Sequence, residues 1–356
     1  MFCKAQRHGP VMRIFVNRQH HAHDVQSELH EGTMRRSFEC PERLDIITSA
    51  LSADGHQFVE PSADCPTAIL RAVHSADYLE FLETAWAQWS AEHPNTSDAL
   101  GFTWPVPGLR RRSTPPKHID ALMGYYSFCV DTGVNAGTWR ASMLGAACAH
   151  AAAGAAMDQG KAFALTRPPG HHAHADMYGG YCFVNNAAVA VESFRVLGAK
   201  RVAVLDVDYH HGNGTQAIYY DRDDVLTISL HADPDVEFPY FLGFADEEGE
   251  GLGLGKNLNL PMPFGTDYAA WSQKLDQALK AIEAHGADAL VVPLGVDTHH
   301  TDPISQFRLE TDDFARMGQA IARLKLPTVV TMEGGYATQA LGDNVARFFQ
   351  GFLSSE

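Results

Sequence analysis

The run Asp206-Val207-Asp208-Tyr209-His210-His211 sets two carboxylates beside two imidazoles. It follows Val202-Ala203-Val204-Leu205, an unbroken apolar segment that reads as a buried strand. Alternate residues of an extended segment share a face, so Asp208 and His210 can present their side chains to one point. A carboxylate oxygen and an imidazole nitrogen suit a divalent metal. A third oxygen or nitrogen ligand from elsewhere would complete an open, catalytic site of the zinc type. The carboxyl ends of strands are also where open α/β sheets build their sites.

Three other apolar segments end in reactive groups. Arg167-Pro168-Pro169-Gly170-His171-His172 follows Ala162-Phe163-Ala164-Leu165, and Gly295-Val296-Asp297-Thr298 follows Ala289-Leu290-Val291-Val292-Pro293-Leu294. Glu333-Gly334-Gly335-Tyr336 follows Thr328-Val329-Val330-Thr331-Met332. Taken singly, each has a plainer reading: an Asp after a strand can cap the next helix, and a His pair can be a structural hydrogen-bonded pair. Taken together they favour one metal-centred site, because parallel strands bring their carboxyl ends to a single sheet edge.

The elements that must position these groups follow from apolar spacing. Helices are expected over 41–51, 76–89, 142–157, 186–197, 268–285, 311–324 and 345–353, and strands over 13–16, 162–166, 202–206, 225–230, 289–294 and 328–332. The alternation predicts a single α/β domain with a mainly parallel central sheet flanked by helices. It spans 13–356, with 1–12 as an N-terminal extension ahead of the first strand. Stretches 92–118 and 231–267 are rich in Pro, Gly and charge without periodicity, and are expected to be long loops that shape the site. The histidines His20, His21, His23 and His30, and the acidic run 246–250, read as solvated loop residues.

Composition narrows the function. With 356 residues and 45% hydrophobic content the chain can bury a large core, and its net charge of −16 argues against nucleic-acid binding. An acidic balance is compatible with a cationic substrate. The six cysteines are scattered with no C-x-x-C pair, which points to buried thiols in a reducing, cytoplasmic setting rather than disulfides or a cysteine-based metal site. No apolar secretory core precedes Arg13, and the Ala-rich stretch 141–157 is short, small-residued and interrupted by His150, so no membrane association is expected.

In their order, these motifs resemble the histone-deacetylase-like enzymes of the arginase–deacetylase superfamily. The flanks Phe81-Leu82-Glu83-Thr84-Ala85-Trp86, Ala136-Gly137-Thr138-Trp139 and Asp302-Pro303-Ile304-Ser305 resemble most the acetylpolyamine amidohydrolases. That resemblance implies one catalytic ion on Asp208, His210 and Asp297: Zn2+, or Fe2+ or Co2+ on the same donors. It implies His172 as general base and then acid, and His171 as its electrostatic partner held by Asp206. Asn213 stands behind His172, where many deacetylases have an Asp, and Tyr336 would donate to the oxyanion. Gly180, Tyr181 and Phe238 would form the walls of a narrow tunnel, and Asp120 and Asp131 would face the far end of the substrate. A structural K+ or Na+ would sit at Asp206, Asp208, His210, Ser229 and Leu230, and the 92–118 insertion would narrow the mouth across a homodimer interface.

The function so implied is a zinc-dependent deacetylase, a hydrolase of linear amide C–N bonds that acts on acetylpolyamines or similar small acetylated amines. The alternatives are an acetyl-lysine or short-chain acyl amide deacylase, a two-metal ureohydrolase, and a non-catalytic protein that captures acetylated amines. A ureohydrolase would need more bridging carboxylates than Asp208 and Asp297 provide.

Overall fold

Residues of successive strands point alternately into two hydrophobic cores, and this alternation defines the molecule. Along β9 (Ala289–Leu294), Leu290, Val292 and Leu294 enter one core while Ala289 and Val291 enter the other. A strand buried on both faces loses the apolar–polar alternation of a half-exposed one, which is why these segments are continuous apolar runs. The computed structural model describes residues 11–106 and 114–354. The expected extension at 1–12 falls almost wholly outside the described residues, as do Arg110, Arg111 and Arg112 of the insertion.

The other strands of the main sheet are β1 (Arg13–Val16), β4 (Gln57–Val59), β5 (Lys161–Leu165), β6 (Val202–Asp206), β7 (Val225–Ala232), β8 (Asn257–Met262) and β10 (Thr328–Met332). Together they form an eight-stranded sheet in the order β4-β1-β5-β10-β9-β6-β7-β8, with every pair parallel. A short antiparallel hairpin, β2 (Glu28–His30) and β3 (Thr33–Arg35), stands apart. Helices α1 (Glu42–Ala53), α8 (Tyr268–His285), α9 (Thr311–Ala322) and α10 (Thr338–Leu353) cover one face. The other face is covered by α2 (Thr67–Val73), α3 (Ala76–Glu92), α4 (Ile119–Tyr125), α5 (Thr138–Gln159), α6 (Asn186–Val196) and α7 (Asn213–Tyr219).

Local chemistry sets the helix ends. The Asp267 side chain accepts the Ala270 N–H to start α8, and Gly286, with φ at 65°, closes it in the left-handed conformation. The Asn185 side chain caps α6 in the same way through Ala188 N–H. The Ala-rich stretch is α5, buried along most of its length, and its His150 is bonded to Ser193.

Several expectations need correction. The stretch 231–267 is not all loop: it contains the edge strand β8. Its apolar signal is diluted by Asn257 and Asn259, which are buried because they bond to Gln216 and Glu247. Pro261 is tolerated there because the strand lies at the sheet edge. Glu247 is half-buried in that network rather than solvated. Strand β4 and helices α2, α4 and α7 were too short to show a period, and α10 begins at Thr338 rather than 345. His20 and His23 are buried rather than solvated.

What buries them is an ion cluster. Glu39 lies 2.8 Å from Arg167 and 3.1 Å from Arg43, and all three side chains are almost fully buried. Arg167 also donates to the His20 carbonyl at 2.7 Å. Arg43 donates to the carbonyls of Glu333 at 2.6 Å and Gly335 at 2.7 Å. The N-terminal segment is thereby clamped to the ends of β5 and β10. His23 lies in this positive field: burial first, and then Arg167, push it down to about 3. Removing Glu39, the carboxylate shared by both guanidiniums, would strand two buried positive charges. Glu39→Gln is therefore expected to cost about 3–5 kcal/mol in urea unfolding. A loss under about 1 kcal/mol would show that the cluster is not a structural clamp.

Candidate active site

Four adjacent strands, β5, β10, β9 and β6, carry all the reactive loops. The chain leaves the sheet centre after β5, builds β6, β7 and β8 outward, then returns to place β9 and β10 in the gap. This is a topological switch point, where the loops beyond the strand ends diverge and leave a crevice.

At its floor, Asp208, His210 and Asp297 bring one donor atom each within 4.8 Å of the others. His210 Nδ1 is 3.2 Å from Asp297 Oδ2 and 3.4 Å from Asp208 Oδ1. The backbone orients both carboxylates: Tyr209 N–H donates to Asp297 Oδ1, His210 N–H to Asp208 Oδ1 and Gly334 N–H to Asp208 Oδ2. A Cβ on Gly334 would run into both carboxylates, and one on Gly295 would run into Asp208. Both aspartates are 0% exposed. Burial, and then the Asp208 charge, push Asp297 up to about 7. Two buried acids this close are short of positive charge, and with one imidazole they form a donor set that fits a divalent cation.

Beside them, His171 and His172 lie with ring centres 4.0 Å apart, and their environments diverge. Burial opposes a charge on His171, but Asp206, bonded to Nδ1 at 3.0 Å, and Asp208 outweigh it and lift the ring to about 10. Burial, and then the neighbouring His171 and His210, push His172 well below its usual range. His172 Nδ1 meets Asn213 Oδ1 at 2.6 Å, and the other end of that amide meets His174 Nε2 at 2.8 Å. Burial lowers His174 to about 4, so its ring is neutral and can accept the amide N–H. Asn213 Oδ1 then faces His172, the Nδ1 of His172 must donate, and its Nε2 is left with a free lone pair. The surroundings thus draw His171 toward its charged form and His172 toward its neutral form, which leaves His172 as the ring able to accept a proton.

Two positioning groups carried no sequence signal beyond their place in a motif. Glu333 Oε2 accepts the N–H groups of Gly170 at 2.6 Å and His171 at 3.1 Å, so β10 holds the His171–His172 loop. Asp302 Oδ2 accepts the N–H groups of Tyr336 at 2.7 Å and Ala337 at 3.1 Å. The Tyr336 ring also packs under the Arg43 guanidinium at 4.6 Å. Burial keeps the phenol well above its usual range, so it stays a proton donor.

These groups open into a cavity of about 440 Å³ lined by His171, His172, His210 and Tyr336, with Gly180, Tyr181 and Phe238 also in its wall. Phe238 stands edge-on to His172, with ring centres 5.1 Å apart. Asp131 reaches the cavity. So do Glu31 and Glu237, which sequence reasoning missed. Glu31 sits in the β2–β3 turn, and Glu237 is held by the Tyr209 hydroxyl at 2.7 Å. Asp120 is not brought to the cavity; it pairs with His93 at 2.7 Å. Near the expected inner cation site, register pairs Asp206 with Ser229, with Leu230 next along β7, and the Ser229 hydroxyl is bonded to His231 Nδ1.

A family model described as the histone deacetylase domain matches residues 37–352. The chain is 49% identical to acetylpolyamine amidohydrolase 1 of Pseudomonas aeruginosa, over 94% of this chain and 96% of that one. It is 44% identical to acetylpolyamine amidohydrolase of Mycoplana ramosa, over 96% of this chain and 99% of that one. The crystal structure of acetylpolyamine aminohydrolase from Burkholderia pseudomallei superimposes with a TM-score of 0.91 at 40% identity, covering 97% of this chain and 99% of that one.

Gly180 offers a steric test of the His172 arrangement. Its φ is 54°, and a Cβ there would run into the His172 ring. Gly180→Ala should displace that ring and lower kcat by about 10- to 100-fold while the protein stays folded by circular dichroism. Unchanged kcat would show that the position of His172 does not limit turnover.

Proposed function

The chain belongs to the histone deacetylase family, and on that premise we propose that it removes acetyl groups from acetylated polyamines or similar small acetylated amines. The observation that carries this reading is the cavity: a charged and a neutral imidazole and a phenol deep inside, and the carboxylates of Glu31, Asp131 and Glu237 along its lining. Such a pocket suits a slender amide whose far end is cationic.

Asp208, His210 and Asp297 would hold one divalent ion, Zn2+ in this proposal, with Fe2+ or Co2+ accommodated by the same donors. When bound, the ion supplies Lewis acidity to the acetyl carbonyl and makes a water more acidic. The neutral His172 takes the proton of the attacking water at Nε2. Asn213 keeps the other ring nitrogen protonated, so only Nε2 can serve as base. As the C–N bond breaks, His172 returns that proton to the departing amine, and acetate is the second product. The charged His171, fixed by Asp206, offsets negative charge that develops beside it. The Tyr336 hydroxyl donates to the oxygen of the tetrahedral intermediate. Gly180, Tyr181 and Phe238 flank the methylenes, and Asp131 attracts the distal ammonium. A K+ or Na+ at Asp206, Asp208, His210, Ser229 and Leu230 would brace the ends of β6 and β7.

Two further proposals concern the setting. The protein works as a cytoplasmic homodimer, and the 92–118 insertion forms the interface. Phe102 and Val106 of that insertion are 61% and 52% exposed, apolar surface that a partner subunit would cover. Among the described residues no helix is long and apolar enough to cross a membrane.

Relative kcat/KM on acetylputrescine, an uncharged acetylated alkylamine of equal length and an acetyl-lysine peptide tests the substrate reading. Acetylputrescine should lead. Asp131→Asn should narrow its lead over the uncharged amide by about fivefold, mainly through KM. Preference for the peptide, or no effect of Asp131→Asn, would refute the assignment of the cavity lining. Tyr336→Phe should retain the bound metal and lose roughly a hundredfold or more in kcat, as expected for removal of an oxyanion donor. Unchanged kcat would remove Tyr336 from the mechanism. Sedimentation as a monomer would contradict the dimer.

A further inference from the structure

The loop that follows Asp297 carries a second group of metal-type donors, away from the catalytic cavity lining. His299, His300 and Glu310 each bring one donor atom to a common point, all within 4.8 Å of one another. His300 Nδ1 lies 3.3 Å from Glu310 Oε2. Two donors bound at about 2.0–2.1 Å to a tetrahedral ion stand roughly 3.3 Å apart, so this pair already has the spacing of one edge of such a site.

The backbone fixes the arrangement independently of the side chains. His300 N–H donates to the Leu309 carbonyl at 3.0 Å, and Leu309 N–H donates to the Thr298 carbonyl at 3.2 Å. The two histidines are thereby pinned against the residue that precedes Glu310. His299 is 4% exposed, and its Nδ1 is held by the Thr301 hydroxyl at 2.9 Å. With Nδ1 donating to that hydroxyl, Nε2, which faces the Thr311 hydroxyl at 3.4 Å, is the nitrogen left to ligate. The side chains of His300 and Glu310 are 41% and 68% exposed, which leaves an entry path.

We propose that His299, His300 and Glu310 form a peripheral binding site for one divalent transition-metal ion, separate from the Asp208, His210 and Asp297 cluster. Two imidazoles and a carboxylate suit Zn2+, Ni2+ or Cu2+ and disfavour Mg2+ or Ca2+, which take oxygen ligands. An ion there ties the loop to the first turn of α9. The same loop supplies Asp297 and, through Asp302, holds the backbone of Tyr336. The site therefore stabilises the segment that sets two parts of the candidate active site.

The test uses enzyme carrying one equivalent of Zn2+, freed of loose metal by gel filtration and then titrated with ZnCl2 by calorimetry. One further equivalent should bind, and Tm should rise with free Zn2+, because an ion that binds only the native state stabilises by mass action. His300→Ala and Glu310→Ala should each weaken that second binding at least tenfold while retaining the first equivalent and the starting kcat. MgCl2 should produce neither effect. If the wild type takes up no second equivalent, or if both variants bind it as tightly as the wild type, His300 and Glu310 are only an exposed ion pair and the proposal fails.

Discussion

Two buried carboxylates facing one another are the constraint around which this structure is organised. Asp208 and Asp297 follow neighbouring strands, and both are closed off from water. Burial, and then the charge of Asp208, push Asp297 upward, and the His210 imidazole lies within 3.4 Å of both carboxylates. The surroundings accept this. Glycine stands at Gly295 and Gly334, where any side chain would strike a carboxylate, and three backbone N–H groups are spent on the acid oxygens. On the proposal that Asp208, His210 and Asp297 hold a divalent ion, its binding would also stabilise the fold, and metal affinity and fold stability would be coupled.

The rest of the site serves that centre by dividing protons between two adjacent imidazoles. The same ring chemistry draws His171 toward its charged form and His172 toward its neutral one, because Asp206 and Asp208 outweigh burial at His171, while burial and the neighbouring His171 and His210 act together on His172. Loops from different strands then have to be held in register. Glu333 joins the histidine loop to β10, Asp302 joins the tyrosine to the Asp297 loop, and Arg43 joins both to the N-terminal segment. Each is a buried polar side chain acting on backbone groups. A substitution at any of them is expected to reach catalysis through position rather than through contact with substrate.

Much of this was legible in the sequence because strands buried on both faces leave unbroken apolar runs, and the reactive groups stand just beyond their ends. Val202–Leu205 into Asp206–His211, and Ala289–Leu294 into Asp297, announce both the sheet and the site. Elements without a strong period were not legible: β8, whose buried asparagines look polar, and the short helices α2, α4 and α7. Long-range polar pairing was hidden too. Nothing in the local sequence says that Asp120 is taken up by His93, that His23 is buried beside Glu39 and in the field of Arg167, or that Glu31 and Glu237 reach the cavity while lying far apart in the chain. Those facts depend on which loops the topology brings together, and a hydrophobic pattern carries no record of that.

Anomalous diffraction at the zinc absorption edge tests the central claim most directly. Crystals of active enzyme, grown from protein stripped of excess metal, should show one strong peak bounded by Asp208 Oδ, His210 Nδ1 and Asp297 Oδ, at about 2.0–2.2 Å from each. Fully active crystals with no peak between those three side chains would contradict the account.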